Sequence, residues 1–453
     1  MRPSFLSTAP VQEHAAGFLP APAWVAPFVA MLLAIAVLPL VAPRWWHSNL
    51  NRFKVSLLCG LPVLGLFAWH GEWEVIRHTV HEYASFVLLL TSLYVASGGI
   101  VLRGDLKATP WVNAAFLLLG ALLASFMGTT GAAMLLIRPL LKTISERRYR
   151  THTVVFFIFM VCNIGGCLTP LGDPPLFLGY LRGVPFSWTF GLVKEWAFVN
   201  FILLGVYLAL DSWFWRHEDR SHLLRDRVEV QPLRLAGGRN FLWLGAVVLS
   251  VAFLTPAHLA AWLGGGEHGF WAVYGRDLAL VAIAFLAYRT TPAEHRRANA
   301  FTWHPMVEVG ALFFGIFLSM MAAIQLLHHY GPELGVEDSH MFFWATGSLS
   351  SFLDNAPTYV VFFETAASLG VPPGHPALEL ATGRVVSEYF LIAVSLGAVF
   401  MGAMTYIGNA PNFMVKAIAE ERKVPMPSFF GYLLYSVVFL LPVFFLTNLI
   451  FLR

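Results

Sequence analysis

The chain has 453 residues, of which 57% are hydrophobic and 12% are charged, and its formal net charge is +3 at pH 7. Soluble domains carry about 25% charged residues, so this composition excludes a soluble globular protein and predicts a polytopic membrane protein. The small net charge, carried by basic residues in loops, gives no support for a nucleic acid partner, and none is expected. The lipid bilayer is the expected environment.

Apolar stretches of bilayer length, about 20 residues each, follow an N-terminal tail at residues 1–21. A first repeat is predicted at 22–214, a charged cytoplasmic linker at 215–239 and a second repeat at 240–453. In the first repeat we predict spans near 22–42, 53–69, 82–101 and 193–214. In the second repeat we predict spans near 240–263, 277–288, 305–327 and 429–450.

Four longer apolar stretches are interrupted by helix breakers or polar residues. Residues 110–143 and 341–368 are predicted to be re-entrant hairpins, and 152–181 and 385–417 broken helices. The first broken helix contains Asn163–Phe177, which holds three Gly, three Pro and one Asp. A helix in lipid cannot carry these residues unless other groups satisfy the freed backbone and the carboxylate. This stretch therefore predicts a transport site.

Segments of the first half recur in the second half in the same order. Thr169–Phe177 recurs as Thr405–Phe413 after 236 positions, and Ser125–Gly128 recurs as Ser351–Asp354 after 226 positions. The spacing of 226 also relates two i,i+4 pairs: His78 with Glu82, and His304 with Glu308. Three matches in one order predict an internal duplication.

The two repeats are predicted to be inverted. If each hairpin enters and leaves on one face, each half has five crossings, and an odd number inverts the second half. With the N-terminus outside, most of the 29 Lys and Arg residues fall in cytoplasmic loops, as the positive-inside rule requires. The predicted fold is an all-α polytopic protein of the inner (plasma) membrane, with two inverted repeats. Each repeat contains about five transmembrane helices plus a re-entrant hairpin and a broken helix, as in secondary transporters.

Polar side chains at the breaks and hairpin tips form the predicted cation or substrate site. Carboxylate, amide and hydroxyl oxygens suit a hard cation, and we expect Na⁺ at Asp173, Asp354 and Asn355. The other predicted members are Ser125, Thr129, Thr130, Asn163, Thr169, Ser350, Thr358, Thr405 and Asn409. The alternative is that these side chains only cap turns and helices.

The two His–Glu pairs are predicted to couple transport to protons. Each pair lies on one helix face, and histidine titrates near neutral pH. Glu82 and Glu308 are the stronger candidates, with His78 and His304 as their partners. The alternative is that all four are solvated residues at the membrane interface.

These motifs resemble those of the ion transporter superfamily, most closely its NhaD-type Na⁺/H⁺ antiporters and its citrate transporter (CitMHS-like) family. The similarity lies in Asn163–Asp173, which resembles a first broken-helix motif, and in Ser350–Pro357, which resembles a second hairpin tip. Glu82 is similar to an acidic residue that the family uses in proton-coupled exchange. The resemblance implies a homodimer.

The chain departs from these relatives at the first hairpin tip. Thr129 and Thr130 stand where NhaD-type chains have Asp-Asn. The Ser-Asn-Thr triplet of dicarboxylate carriers is absent from both tips. These departures bear on substrate identity.

The sequence therefore predicts a secondary active transporter, most simply a sodium (or lithium)/proton antiporter, because carboxylates outnumber basic residues at the motifs. The alternative is a sodium- or proton-coupled carrier of citrate or another organic anion. An enzyme is not expected, because no nucleophile–base pair or metal-ligand cluster is evident. No cofactor is expected other than transported or coupling Na⁺.

Overall fold

A computed structural model describes residues 18–219, 231–263, 266 and 269–452. Most of the predicted tail, residues 1–17, and part of the predicted linker, residues 220–230, lie outside the described residues. Within the described residues, nine helices are long and apolar enough to cross a membrane, or up to ten if one bent pair forms a single span. The all-α polytopic membrane fold is therefore confirmed.

The described part of the first half contains nine helices. They are α1 (Ala26–Val41), α2 (Pro43–Trp46), α3 (Asn49–Trp69), α4 (Trp73–Ser97), α5 (Pro110–Met127), α6 (Thr129–Thr143), α7 (Thr151–Val161), α8 (Pro174–Leu181) and α9 (Val193–Arg216). Short 3₁₀ segments lie at Pro22–Val25, Ile164–Leu168 and Phe186–Leu192.

The described part of the second half contains ten helices. They are α10 (Arg239–Phe253), α11 (Pro256–Leu263), α12 (Phe270–Thr290), α13 (Ala293–Ala298), α14 (His304–Tyr330), α15 (Ser339–Phe352), α16 (Asn355–Ser368), α17 (Glu388–Met401), α18 (Ala410–Glu421) and α19 (Phe429–Phe451). Two 3₁₀ segments lie at Gly331–Leu334 and Gly402–Met404.

Two sequence predictions about helices are wrong in detail. The span predicted at 240–263 is two helices, α10 and α11, which meet at an angle of 86°. Pro256 starts the second helix, and the residue before a proline avoids the helical conformation. The broken helix predicted from 385 starts instead with a short strand, β4 (Val385–Ser387), which pairs with β3 (Ala377–Glu379).

The chain enters and leaves each hairpin on one face. Beside the first hairpin, formed by α5 and α6, the backbone N–H of Leu106 donates to Thr143 Oγ1 at 3.4 Å. Beside the second, formed by α15 and α16, Gly331 packs so closely on Ser368 that a Cβ atom would not fit. Contact between the flanks is the geometry that a re-entrant hairpin requires.

Loops predicted to lie on the cytoplasmic face contact one another. Strand β1 (Val101–Asp105) pairs antiparallel with β2 (Gln231–Ala236). Arg150 also donates to the carbonyl of Lys423 at 3.3 Å. On the other face, the N–H of Ala381 donates to the carbonyl of Gly183 at 2.8 Å, next to the second hairpin. The two hairpins therefore open towards opposite faces, as inverted repeats require.

The broken helices form the centre of the fold. Of the 18 residues Thr151–Leu168, which include α7, 94% are buried. Of the 18 most apolar residues in Pro22–Val41, which includes α1, 22% are buried. Helix α17 is buried along almost its whole length. The interrupted segments, which could not satisfy their backbone in lipid, are thus surrounded by protein.

Candidate functional site

Asp173 lies at the centre of the fold, immediately before α8, and its side chain is 1% exposed. Its carboxylate accepts three hydrogen bonds from uncharged side chains. Thr129 Oγ1 donates to Oδ1 at 3.1 Å, Asn409 Nδ2 donates to Oδ1 at 2.9 Å, and Asn355 Nδ2 donates to Oδ2 at 2.6 Å. Among the described residues, no basic side chain forms an ion pair with it. The buried carboxylate is thus surrounded by dipoles and not by a counter-charge.

The donors come from both repeats. Thr129 begins α6 at the first hairpin tip, Asn355 begins α16 at the second tip, and Asn409 directly precedes α18 in the second broken helix. Four helix N-termini, those of α6, α8, α16 and α18, therefore meet around Asp173. Each carries a partial positive charge of about half an elementary charge, which stabilises a nearby anion.

The interpretation of Asp173 as a simple helix cap is wrong. Its backbone is extended, as expected for the residue before a helix, but its side chain makes no capping hydrogen bond to α8. Asn409 behaves in the same way before α18. Both side chains turn towards each other, and the prolines that follow them, Pro174 and Pro411, supply the helix start.

Asp354 is a helix cap in this structure. Its Oδ1 accepts from the N–H of Ala356 at 3.1 Å, and its carbonyl accepts from Thr358 Oγ1 at 3.0 Å. Asp354 also lines a cavity next to Asp173, so it is exposed to any ion there. The sequence places Asp173, Asp354 and Asn355 in one predicted Na⁺ site. Of the two residues at this hairpin tip, Asn355 and not Asp354 donates to Asp173, together with Thr129 and Asn409.

Equivalent hydrogen bonds hold the unwound segments of the two repeats. Thr169 donates its hydroxyl to the carbonyl of Ser125, and Thr405 donates its hydroxyl to the carbonyl of Ser351. Each threonine oxygen also accepts from a backbone N–H two residues later. Ser350, in contrast, donates to the carbonyl of Ala398 at 2.7 Å. Thr169, Thr405, Ser125 and Ser350 thus position the backbone of the site, and their hydroxyls are engaged.

Close packing in the unwound segments requires glycine. A Cβ atom on Gly172 would overlap the carbonyl oxygen of Gly166, and a Cβ on Gly408 would press on the carbonyl of Gly402. The two pairs are separated by 236 positions, as are Asp173 and Asn409. The duplication therefore extends to the backbone of the site.

A further polar contact joins the two broken helices. Asn163 Nδ2 donates to Asn412 Oδ1 at 2.8 Å, and Asn412 Nδ2 donates to the carbonyls of Gly402 and Thr405. Asn163 is among the site residues predicted from the sequence, whereas Asn412 is not. The signal was available, because Asn412 replaces the leucine found at the equivalent position of the first repeat, Leu176.

A cavity of about 80 Å³ lies beside the hairpin tips. Its polar wall contains Thr129, Thr130, Asp354 and Asn409. Its apolar wall comes from α4 and α14 and includes Leu90, Leu93, Tyr94, Met306, Val309 and Phe313. No Lys, Arg or His of the described residues lines it. The lining is thus acidic and neutral.

The predicted proton-coupling residues lie apart from this cavity. Glu82 is buried and pairs with Arg182, at 3.2 Å from its Nη2, while His78 Nδ1 is 4.0 Å from the same glutamate. Glu308 pairs with Arg52 at 3.0 Å and lies 3.9 Å from His304. Each i,i+4 contact agrees with the sequence prediction, whereas the two arginines were not predicted. Neither glutamate reaches Asp173.

The chain is similar to a known protein family along almost its whole length. A family model described as "Putative citrate transport" matches residues 19–452. The chain belongs to this family. The predicted resemblance to citrate transporters is therefore confirmed, and the protein is a multi-pass membrane protein of a transport family. No curated protein matches the chain.

Proposed function

We propose that this family member is a secondary active transporter that exchanges Na⁺ or Li⁺ for H⁺, with Asp173 and Asp354 as the exchanging groups. The observation that carries the proposal is a fully buried carboxylate held by three neutral donors. A buried charge without a counter-ion is costly, so a cation or a proton that binds it lowers the free energy of the site. Because either can bind, one displaces the other.

The hydrogen bonds of Asp173 leave capacity for this exchange. Within the described residues, its Oδ1 accepts from Thr129 and Asn409, whereas its Oδ2 accepts from Asn355 alone. A carboxylate oxygen has two lone pairs, so Oδ2 retains one for a proton or a metal ion. The donors stabilise the ionised form and also hold it in one geometry.

The composition of the cavity favours a cation as substrate. Asp354 is its charged group, and Thr130 adds a hydroxyl, with no basic side chain of the described residues in the wall. An anion that entered alone would meet the carboxylate of Asp354 in the wall and would lie near that of Asp173. A small hard cation finds oxygen ligands from both hairpin tips.

Ion exchange can be tested in everted vesicles from a host without its own antiporters, with a pH-sensitive dye. We expect Na⁺ or Li⁺ to cause proton movement in the wild type and no response in Asp173→Asn, which keeps the side-chain size. Absence of any cation response, together with uptake of labelled citrate, would reject exchange.

Citrate or another organic anion, carried with Na⁺ or H⁺, is the second candidate substrate. Two observations favour it: the description of the family, and the four helix N-termini that surround Asp173. In this mechanism a cation at Asp173 and Asp354 would offset the charge of the anion. Citrate uptake that depends on Na⁺ or on pH, and that fails in Asp173→Asn, would favour this candidate over exchange.

We also propose that the chain resides in the plasma membrane with its N-terminus outside. The bias of Lys and Arg towards one set of loops supports this orientation. Ten crossings then leave the C-terminus outside as well. A fusion of alkaline phosphatase to the C-terminus should be active, and a fluorescent protein that matures only in the cytoplasm should be dark. The reverse pattern would exclude this orientation.

A further inference from the structure

Arg182 lies between two buried glutamates on the face opposite to the β1–β2 pair. Its Nη2 is 3.2 Å from Glu82 Oε2, and its Nε is 3.0 Å from Glu364 Oε1. All three side chains are at most 9% exposed. Two further basic side chains, His328 and Arg384, each approach Glu364 Oε2 to 2.9 Å. We call these five residues the outer charge cluster.

The outer charge cluster joins helices that lie on different sides of the cavity. Glu82 belongs to α4 and His328 to α14, and these two helices form the apolar wall. Arg182 follows α8, and Glu364 belongs to α16, both of which begin beside Asp173. The cluster thus connects the apolar wall to the elements that carry the site.

Four aromatic rings form a layer that begins one turn of α4 after Glu82. Phe86, four residues after Glu82, stacks on Phe177 of α8 with ring centroids 6.4 Å apart. It also packs against Phe313 and Phe317 of α14, with ring centroids 4.6 and 5.8 Å apart. All four rings are buried. Along α4, α8 and α14, buried rings therefore lie between the cluster and the residues of the site or its cavity.

The cavity instead extends towards the other face. Its wall includes Tyr94 near the end of α4 and Met306 near the start of α14. The hydroxyl of Tyr94 donates to the carbonyl of Thr302, in the loop before α14. These are the ends predicted to be cytoplasmic. The site is thus closed by charge and aromatic packing on one side and bordered by a cavity on the other.

We propose that the outer charge cluster is the outer gate of the transporter, and that it must separate when the site opens to the outside. This inference rests on the proposed transport function. Removing one partner from a buried ion pair leaves an uncompensated charge and is strongly unfavourable. The cluster therefore stabilises the inward-facing arrangement, and a weaker cluster should shift the population of molecules towards the outward-open one.

Cysteine accessibility can test the gate without any transported substrate. The three native cysteines, all buried, are first replaced by alanine, and Phe317→Cys or Val309→Cys is then added as a reporter. A membrane-impermeant maleimide is applied from outside to Phe317→Cys and from the cytoplasmic side, in everted vesicles, to Val309→Cys. Phe317 lies in the aromatic layer and Val309 in the cavity wall, so the two reporters follow opposite sides of the site.

Glu364→Gln removes the central negative charge and is expected to raise the rate of labelling at the outer reporter about tenfold, which corresponds to about 1.4 kcal/mol. The rate at the inner reporter should fall. Glu379→Gln, an exposed residue on the same face, should change neither rate. Arg384→Gln, whose side chain is 39% exposed, should act in the same direction with a smaller effect and little cost to folding.

Unchanged labelling in folded Glu364→Gln and Arg384→Gln would overturn the gate, and thermal unfolding in detergent establishes that each variant is folded. If Glu364→Gln does not fold, the labelling of Arg384→Gln decides the question. Labelling changes without cation-driven proton movement would support the gate and reject the proposed exchange. Cation-driven proton movement without labelling changes would support the proposed exchange and reject the gate.

Discussion

Asn409 donates a hydrogen bond to Oδ1 of Asp173 at 2.9 Å, although the two residues are 236 positions apart. They occupy equivalent positions of the two repeats. After duplication, one copy of this position carries a carboxylate and the other an amide. The amide hydrogens of the second copy satisfy the oxygen of the first, which two carboxylates could not do without sharing a proton.

Replacing Asn409 should weaken cation binding. Asn409→Ala removes hydrogen bonds to Asp173 and to the carbonyl of Cys162. Hydrogen bonds to charged groups contribute about 1.5–3 kcal/mol, so we expect the apparent affinity for the transported cation to fall about tenfold or more. The measurement is the initial rate of proton movement against cation concentration.

Asn299→Ala is the matched control for this change. Asn299 is also buried and also donates two hydrogen bonds, to the carbonyls of Gly98 and Ile100. Both variants should lose stability, but only Asn409→Ala should lose affinity. Equal affinity in the two variants would contradict a role for Asn409 at the site.

Neutralising Asp354 should abolish exchange without removing its cap. Asp354→Asn keeps a side-chain oxygen that can accept from Ala356, since Asn and Asp are equally good N-caps. The charge that faces the cavity is lost, so cation-dependent proton movement should disappear. Asp338→Asn is the control. Asp338 caps α15, since its Oδ1 accepts from the N–H of Met341 at 2.7 Å, and it does not line the cavity. Exchange that persists in Asp354→Asn would remove this residue from the mechanism.

Glycine at the unwound segment should be indispensable. Gly172→Ala would place a methyl group on the carbonyl of Gly166, which must then move away from the site. Overpacking of this kind costs about 1–3 kcal/mol or more. We expect a lower melting temperature in detergent and no transport. Gly205→Ala, within α9, meets no atom within 4 Å and should be neutral or stabilising. Similar effects of the two substitutions would be inconsistent with the packing described.

A second buried charge cluster should be purely structural. Arg147 Nη1 is 2.7 Å from Asp211 Oδ1, which also lies 2.7 Å from His152 Nε2. Arg147→Met would leave Asp211 without its main cation, at a cost of about 3–5 kcal/mol. The melting temperature should fall, while the cation affinity of the protein that remains folded should not change. The adjacent Arg148→Met, at an exposed position, should have little effect on either.

The membrane fold could be predicted because lipid restricts what a sequence can do. Hydrocarbon offers no hydrogen bonds, so a stretch such as Asn163–Phe177 must be enclosed by protein. Because the sequence repeats, the second broken helix and the second hairpin could be predicted from the first. The flanking contacts of both hairpins agree with this prediction. The bend before Pro256 was missed, because hydropathy identifies the length of an apolar stretch and not its direction.

The polar partners were decided by the tertiary structure alone. The sequence identified Asp173, but its three donors lie 44, 182 and 236 positions away. Arg182 and Glu364 were not predicted either: Arg182 directly follows the first broken helix, Glu364 is a lone carboxylate inside the second hairpin, and no motif or spacing links the two. The sequence shows that the carboxylate of Asp173 is in an apolar stretch and therefore needs partners. Which residues serve as those partners depends on how four helix ends pack together.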